Sequence, residues 1–266
     1  MQAHAFFDAL WHQYTDLTPQ AATIQAALTA RGETVLNDHV AFRTFNIAPV
    51  RLSDLEPQLL AMGYTPLEPY EFPNKHLDAF GYVHADDSLP KVFLSELRVE
   101  ALPEDCQAII RRLVSQVPVD ANQSADVFFH GVLWELPTSA EYQRLAEVSE
   151  YAAWTSVMGM RANHFTIAVH KLKSFAHLEA VNAFVKDDLQ LPLNQSGGEI
   201  KGGPQVYLAQ SSTMADRTDI TFSDSVTLSV PTCFYEFAER FETPEGGLYK
   251  GFVAASADRI FESTNR

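Results

Sequence analysis

Apolar positions recur along this chain with two different periods, and the period changes where the chemistry gathers. Residues 3–16 set Phe6, Phe7, Leu10, Trp11 and Tyr14 at three- and four-residue steps, the spacing of one helix face. Thr18 and Pro19 then supply a cap and a first-turn proline for a second helix that runs to Ala30 and ends at Gly32. From residue 37 the period falls to two. In Asn37-Asp38-His39-Val40-Ala41-Phe42-Arg43-Thr44-Phe45, one strand face carries Val40, Phe42 and Thr44, and the other carries His39, Ala41 and Arg43. An unpaired charge is costly in a core, so the second face is expected to look into a wet or ligand-filled concavity.

The alternation returns at residues 162–169, where Phe165, Ile167 and Val169 oppose His164, Thr166 and Ala168, with Asn163 just before the histidine. The two histidines lie 125 positions apart (164 minus 39), which reads as a duplicated module with one histidine per copy. After the first histidine strand come a helix at 52–62, capped by Ser53 and stopped by Gly63, and strands at 64–72, 80–84 and 91–97. After the second come a helix at 174–189, a glycine-rich loop at 195–204 read as a mobile lid, and strands at 205–210, 219–222 and 225–237. The order strand, helix, strand, strand, strand thus occurs twice. Helices at 108–117 and 139–158 flank an apolar strand-like stretch at 127–136, making a mostly helical insertion between the copies. The predicted fold is α+β in a single domain spanning 1–266. It divides into N-terminal helices 1–36, a first module 37–97, the insertion 98–161, a second module 162–240 and a docking tail 241–266, apolar over 248–261.

Composition narrows the partners. With 46% hydrophobic and 20% charged residues, the 266-residue chain is that of a globular protein able to bury a substantial core. Its net charge of −15, from 19 basic and 34 acidic residues, argues against a nucleic-acid partner, whose binding rests on clustered Lys and Arg. An acidic substrate would have to be drawn in by a local positive charge, because the global field repels it. Cys106 and Cys233 stand alone, without metal-binding or disulfide spacing. The first residues lack the basic and apolar regions of a signal peptide, and no stretch is long and apolar enough for a membrane helix, so a cytoplasmic location without a membrane partner is expected.

A lone strand histidine is more often structural than metal-binding, but the matched setting of His39 and His164 favours two ligands of one site. Two histidines and one carboxylate form the ligand set of non-haem Fe(II) enzymes with open positions. Glu236, in Phe234-Tyr235-Glu236-Phe237, supplies a carboxylate. On a strand it would be buried among aromatics and would need a cation. On a helix, Phe234, Phe237, Ala238 and Phe241 would share one face and leave Glu236 in solvent, and both readings stand. His130 lies in an apolar run and reads as a core or site-wall residue, whereas His76, His84, His170 and His177 sit at segment ends and read as surface. The glycines at 197–203 lack phosphate-loop spacing, and no serine or cysteine occupies a nucleophile elbow.

Together, His39 with Arg43 four positions on, Asn163-His164-Phe165-Thr166, Phe234-Tyr235-Glu236-Phe237, and the closing Gly251-Phe252 and 256–264 resemble the 2-oxoadipate dioxygenase/decarboxylase family, or 2-hydroxyglutarate synthases. That family is similar to the vicinal-oxygen-chelate superfamily, whose paired βαβββ modules form a cupped sheet around a metal. The resemblance covers residue 3 to the C-terminus. It implies that His39, His164 and Glu236 bind Fe(II), that Glu236 lies on a strand, that Arg43 holds the substrate, and that Ser256 touches it. The implied reaction converts 2-oxoadipate to 2-hydroxyglutarate with loss of carbon dioxide, with molecular oxygen as co-substrate and a place in lysine catabolism. Residues 39 and 43 lie roughly 13 Å apart along a strand. That gap suits a chain with a carboxylate at each end, one on the iron and one on Arg43. Two other readings remain on the same scaffold: an oxygen-independent Zn, Ni or Mn lyase, isomerase or hydrolase, and a non-catalytic small-molecule binder.

Overall fold

The computed structural model describes residues 2–264. Helices α1 (Ala3–Leu17) and α2 (Pro19–Ala30) form where the periodicity puts them, with Pro19 in a first turn that has no use for its missing N–H. They are followed by β1 (Asn37–Phe45), α3 (Leu52–Ala61), β2 (Thr65–Phe72), β3 (Leu77–Val83) and β4 (Lys91–Leu97). Three helices come next: α4 (Glu104–Val114), α5 (Ser139–Val148) and α6 (Glu150–Met158). The remaining elements are β5 (Ala162–Ala168), α7 (Leu178–Ala183), β6 (Lys201–Gly203), β7 (Leu208–Ser212), β8 (Arg217–Thr221), β9 (Thr227–Pro231), β10 (Phe234–Arg240) and α8 (Ala254–Ile260).

Eight strands form one sheet in the order β2-β3-β4-β1-β5-β10-β7-β6. β1 runs parallel to β4 and β5 parallel to β10, while β1 and β5 meet antiparallel at the centre. The expected pair of βαβββ modules is therefore present, joined along the two histidine strands. One sheet face buries Val40, Phe42, Phe165, Ile167, Tyr235 and Phe237. Helix α1 packs on this face through Trp11, whose ring centroid lies 5.2 Å from that of Phe165 and 5.5 Å from that of Tyr235. The opposite face is the cup, closed over by α8 and the turn Phe261–Thr264.

Several predicted elements differ from those observed, each for a local reason. The single strand over 225–237 is two strands. β9 pairs only with β8, as a hairpin outside the cup, and the chain breaks at Thr232, whose carbonyl accepts the Trp154 indole N–H and whose hydroxyl donates to the Leu17 carbonyl. The strand expected at 205–210 begins later, because Pro204 opens a 3₁₀ turn ending at Tyr207 with φ of 59°. The predicted lid loop is pinned: Lys201–Gly203 pairs with β7, and the Glu199 carboxylate accepts from Asn182, Lys186 and Gln195. The helix over 139–158 divides at Ser149, which is extended and caps α6 by accepting from the Ala152 N–H. The helix over 174–189 starts only at Leu178, where the Glu239 carboxylate takes the Leu178 N–H, and it ends in a π-helical turn, Phe184–Asp188. The strand-like stretch at 127–136 is a 3₁₀ turn, Ala125–Phe129, that lodges Phe128 and Phe129 edge-on against Phe6. His130 at its end is exposed rather than in the core.

Candidate metal centre

Strict alternation would put the residues before His39 and His164 on the far side of the sheet. Both strands break it at that residue. In β1, Asn37 and His39 oppose the adjacent Ile167 and Thr166, so Asp38 is an extra residue. In β5, His164 and Ala162 oppose the adjacent Ala41 and Phe42, so Asn163 is extra in the same way. Each bulge turns a polar side chain toward the ring beside it. Asp38 Oδ2 lies 2.8 Å from His39 Nδ1, and Asn163 Oδ1 lies 2.9 Å from His164 Nδ1. Both acceptors take an Nδ1–H, which leaves each Nε2 with its lone pair aimed into the cup.

Glu236 meets those lone pairs. β10 lies between β5 and β7 in the sheet, which settles the strand reading of this residue and projects its carboxylate beside both imidazoles. Oε1 lies 3.4 Å from His39 Nε2, and Oε2 lies 3.2 Å from His164 Nε2. One donor atom from each of the three residues falls within 4.8 Å of the others. All three side chains are buried, with Glu236 only 1% exposed. Gln210 donates to Oε1 at 2.6 Å, but Oε2 has no hydrogen-bond partner among the described residues. Two lone-pair nitrogens facing an anionic carboxylate in a dry site repel unless positive charge stands between them. Burial pushes the Glu236 carboxyl up, and without a cation only protons on the two imidazoles could hold it at about 2. An orphaned anionic oxygen and two fixed nitrogen donors are the chemistry a divalent cation satisfies, so the residues fit a metal.

Around this group Phe93, Phe252, Ala257, Ile260 and Phe261 leave a cavity of about 20 Å³, on the scale of a single water or ion. Thr166 Oγ1 lies 3.0 Å from His39 Nε2. Arg43 sits further along the same face of β1, but it is packed rather than open to water. It is 1% exposed, and its guanidinium donates to Glu150 at 2.7 Å and to Thr264 at 3.2 Å. It also lies over the rings of Tyr151, Trp154 and Phe261 at 5.0, 5.1 and 5.4 Å. Its Nε has no partner among the described residues. Ser256 lies buried on α8 against Gly202, outside the cavity wall.

The description "2-oxoadipate dioxygenase/decarboxylase" belongs to the family model that matches residues 6–246 of this chain. The chain belongs to the 2-oxoadipate dioxygenase/decarboxylase family. The resemblance read from its motifs is thereby borne out. A chloroplastic 2-oxoadipate dioxygenase/decarboxylase of Arabidopsis thaliana is 38% identical over 85% of this chain and 67% of its own length. Among solved structures, hydroxyglutarate synthase from Oryza sativa in complex with 2-oxoadipate aligns with a TM-score of 0.89 and 33% identity, covering 98% of this chain and 93% of its own. A Shewanella frigidimarina protein, described only provisionally as a hydrolase, aligns with a TM-score of 0.90 and 44% identity, covering 96% and 98%. The cupped fold extends to a glyoxalase-superfamily protein of Ralstonia eutropha (TM-score 0.78, 20% identity, covering 95% and 86%), as expected for a vicinal-oxygen-chelate arrangement.

Family membership makes the chain an enzyme of the dioxygenase/decarboxylase class. No helix among the described residues is long and apolar enough to cross a membrane. Reading the motifs found the three grouped residues but missed those that hold them: Asp38 and Asn163, Gln210 on the neighbouring strand, and Arg240, whose guanidinium grips Asp38 at 2.6 and 2.8 Å. The signal for the first two was a side-chain acceptor immediately before each histidine. Nothing local marks Gln210 or Arg240, because the register of β10 brings them in.

Proposed function

We propose that this chain is an Fe(II)-dependent dioxygenase/decarboxylase that converts 2-oxoadipate to 2-hydroxyglutarate and carbon dioxide, with molecular oxygen as co-substrate. The atoms balance, since the six-carbon keto diacid plus O₂ equals the five-carbon hydroxy diacid plus CO₂. The observation that carries the reading is the buried group of His39, His164 and Glu236, with its uncompensated Glu236 oxygen, in a member of this family. These residues would hold the metal. Bound Fe(II) would supply a Lewis-acidic, redox-active centre with open positions for a chelating 2-oxo acid and oxygen.

The remaining tasks fall to the chain itself. Asp38 and Asn163 keep the Nδ1 protons away from the site, and Gln210 holds one Glu236 oxygen so that the other faces inward. Phe93, Phe252 and Phe261 exclude water. Arg43 reads the distal carboxylate of the substrate, with Nε unpaired and Glu150 holding the guanidinium's charge in its absence. A cavity of about 20 Å³ is too small for a six-carbon diacid, so α8 and the turn after it must shift to admit substrate. Ser256, on α8, would meet the substrate in that movement. Residues 1–266 act as one catalytic unit in this proposal, and the cytoplasmic location belongs with it.

The test is anaerobic loading with Fe(II), followed by oxygen uptake and carbon dioxide release on a panel of 2-oxo acids. Stoichiometric oxygen uptake and decarboxylation with 2-oxoadipate is the expected result. Turnover without oxygen would turn the reading to the lyase or hydrolase alternative. Metal-independent binding without turnover would turn it to a binder.

A further inference from the structure

Apart from the metal cavity, a separate cleft of about 300 Å³ is lined by Asp38 and Arg240. The Phe252 ring, which lines the metal cavity, has its centroid 5.0 Å from that of His39 and 5.6 Å from the Arg240 guanidinium, which lines the cleft. Four cations line the cleft (Lys91, Lys171, Arg240 and Lys250) against two carboxylates, Asp38 and Asp87. They come from four places in the chain: the start of β4, the turn Val169–Lys171, the end of β10 and the loop after it. In a chain of net charge −15, that local excess of positive charge runs against the overall composition.

Arg240 is fully engaged by Asp38 and by the Tyr249 and Gly251 carbonyls, but the three lysines are poorly neutralised within the protein. Asp38 is committed to Arg240 and His39 and reaches Lys91 only at 3.9 Å. Lys171 and Lys250 have no carboxylate within 4 Å among the described residues. Burial lowers Lys91, and neighbouring Arg240 and Lys250 lower it further against the pull of Asp38 and Asp87. His170 accepts the Arg240 backbone N–H at Nδ1, which leaves its Nε2–H as a further donor. Cations crowded in a concavity without enough counter-charge are most stable with an anion among them.

We propose that this cleft is a second binding site, distinct from the metal cup, for a small molecule carrying two negative charges as carboxylate or phosphate. Four cations against two carboxylates leave an excess of two, which matches a dianion. The volume suits a small metabolite and not a polymer. Asp38 and Arg240 line the cleft, and Asp38 also holds His39, so an occupant beside Asp38 would sit one side chain away from His39.

The experiment is calorimetric titration of the purified protein with inorganic phosphate, with succinate, and with uncharged succinamide as control. Succinate carries two carboxylates but lacks the keto group that a chelator needs. Saturable one-to-one binding of phosphate or succinate is expected, weakening as salt rises and falling at least tenfold in the double variant Lys171→Glu, Lys250→Glu. Both lysines are exposed, so this variant should fold normally. Arg43→Ala, or Arg43→Lys if the alanine variant does not fold, should bind the anion as the wild type does. Phosphate binding alone would identify a phosphate site, succinate binding alone a carboxylate site, and binding of both a site that reads charge. Absence of saturable binding would overturn the proposal. So would full binding by the double lysine variant, or loss on changing Arg43, which would place the anion in the metal cup. Because no turnover is read, the result stands or falls separately from the proposed reaction.

Discussion

The two halves of the metal centre share a geometry and differ in charge. Each histidine follows a bulged residue that accepts its Nδ1–H. In the first half that residue is an aspartate gripped by Arg240 of the second module; in the second it is an asparagine whose Nδ2 has no partner among the described residues. The rings are seated differently as well. His39 stands edge-on to Phe252 at 5.0 Å, and His164 stacks on Phe234 at 4.5 Å. Burial lowers both imidazoles, but Glu236 and Asp38 together reverse this at His39 and raise it, whereas His164 stays lowered. The two modules share the aim of the nitrogens and differ in the charge set around them. The first half is also a tie between modules, because its orienting carboxylate is held by a guanidinium from the far end of β10.

The largest effect should come from the residue both halves share. Glu236→Ala is expected to abolish metal binding, as are His39→Ala and His164→Ala, in variants that remain folded. Metal content per chain, near one in the wild type, is the measurement, and full occupancy in His164→Ala would dismantle the site. Next comes the difference between the orienting residues. Asp38→Asn leaves a buried arginine without its anion and should cost on the order of 3–5 kcal/mol of stability, with about 10–100-fold in metal affinity. Asn163→Ala should lie at the low end of that affinity range and hardly move the denaturation midpoint. Equal losses in the two variants would erase the proposed asymmetry.

Arg43 belongs to the first half alone. Arg43→Ala should cost on the order of 2–5 kcal/mol in kcat/KM for a 2-oxo dicarboxylate, and much less for a 2-oxo monocarboxylate of equal length. An equal loss for both substrates would show that Arg43 does not read the distal carboxylate.

The smallest effect concerns the outer strands. β6 of the second module buries Lys201, whose ammonium donates to the Asn194 carbonyl at 2.7 Å. Burial lowers this amine to about 8, with Glu236 and Glu199 opposing the shift. Between pH 8 and the ordinary lysine value near 10.5, the unfolded chain binds more protons than the folded one, so stability from this group rises with pH in that window and is lost as pH falls through 8. Lys201→Met should flatten the rise, as followed by chemical denaturation at several pH values.

How far the sequence could be read depended on how local each signal was. The first two helices and the histidine strands were legible because period and capping agree over ten or more residues. Glu236 was not decidable from its neighbours, since Phe234, Phe237 and Ala238 fit a helix face as well as a strand; only flanking by β5 and β7 decides it. The break at Thr232 was invisible because its cause, the Trp154 indole, lies 78 positions away. The pinned loop at Glu199 escaped for the same reason, its partners being spread along α7 and the turn after it. The strand pattern around Arg43 points to an open concavity, since its counter-ion, Glu150, comes from the distant insertion.

The two bulges also bear on how the gene can change. Deleting the codon for Asp38 or Asn163 would restore strict alternation, and the residue then preceding each histidine would turn to the opposite face of the sheet. The ligand itself would survive, still on its strand and still facing the cup. What would be lost is the choice between its two nitrogens. Such a deletion would keep every ligand on its strand and leave an imidazole free to present a proton where a lone pair is needed.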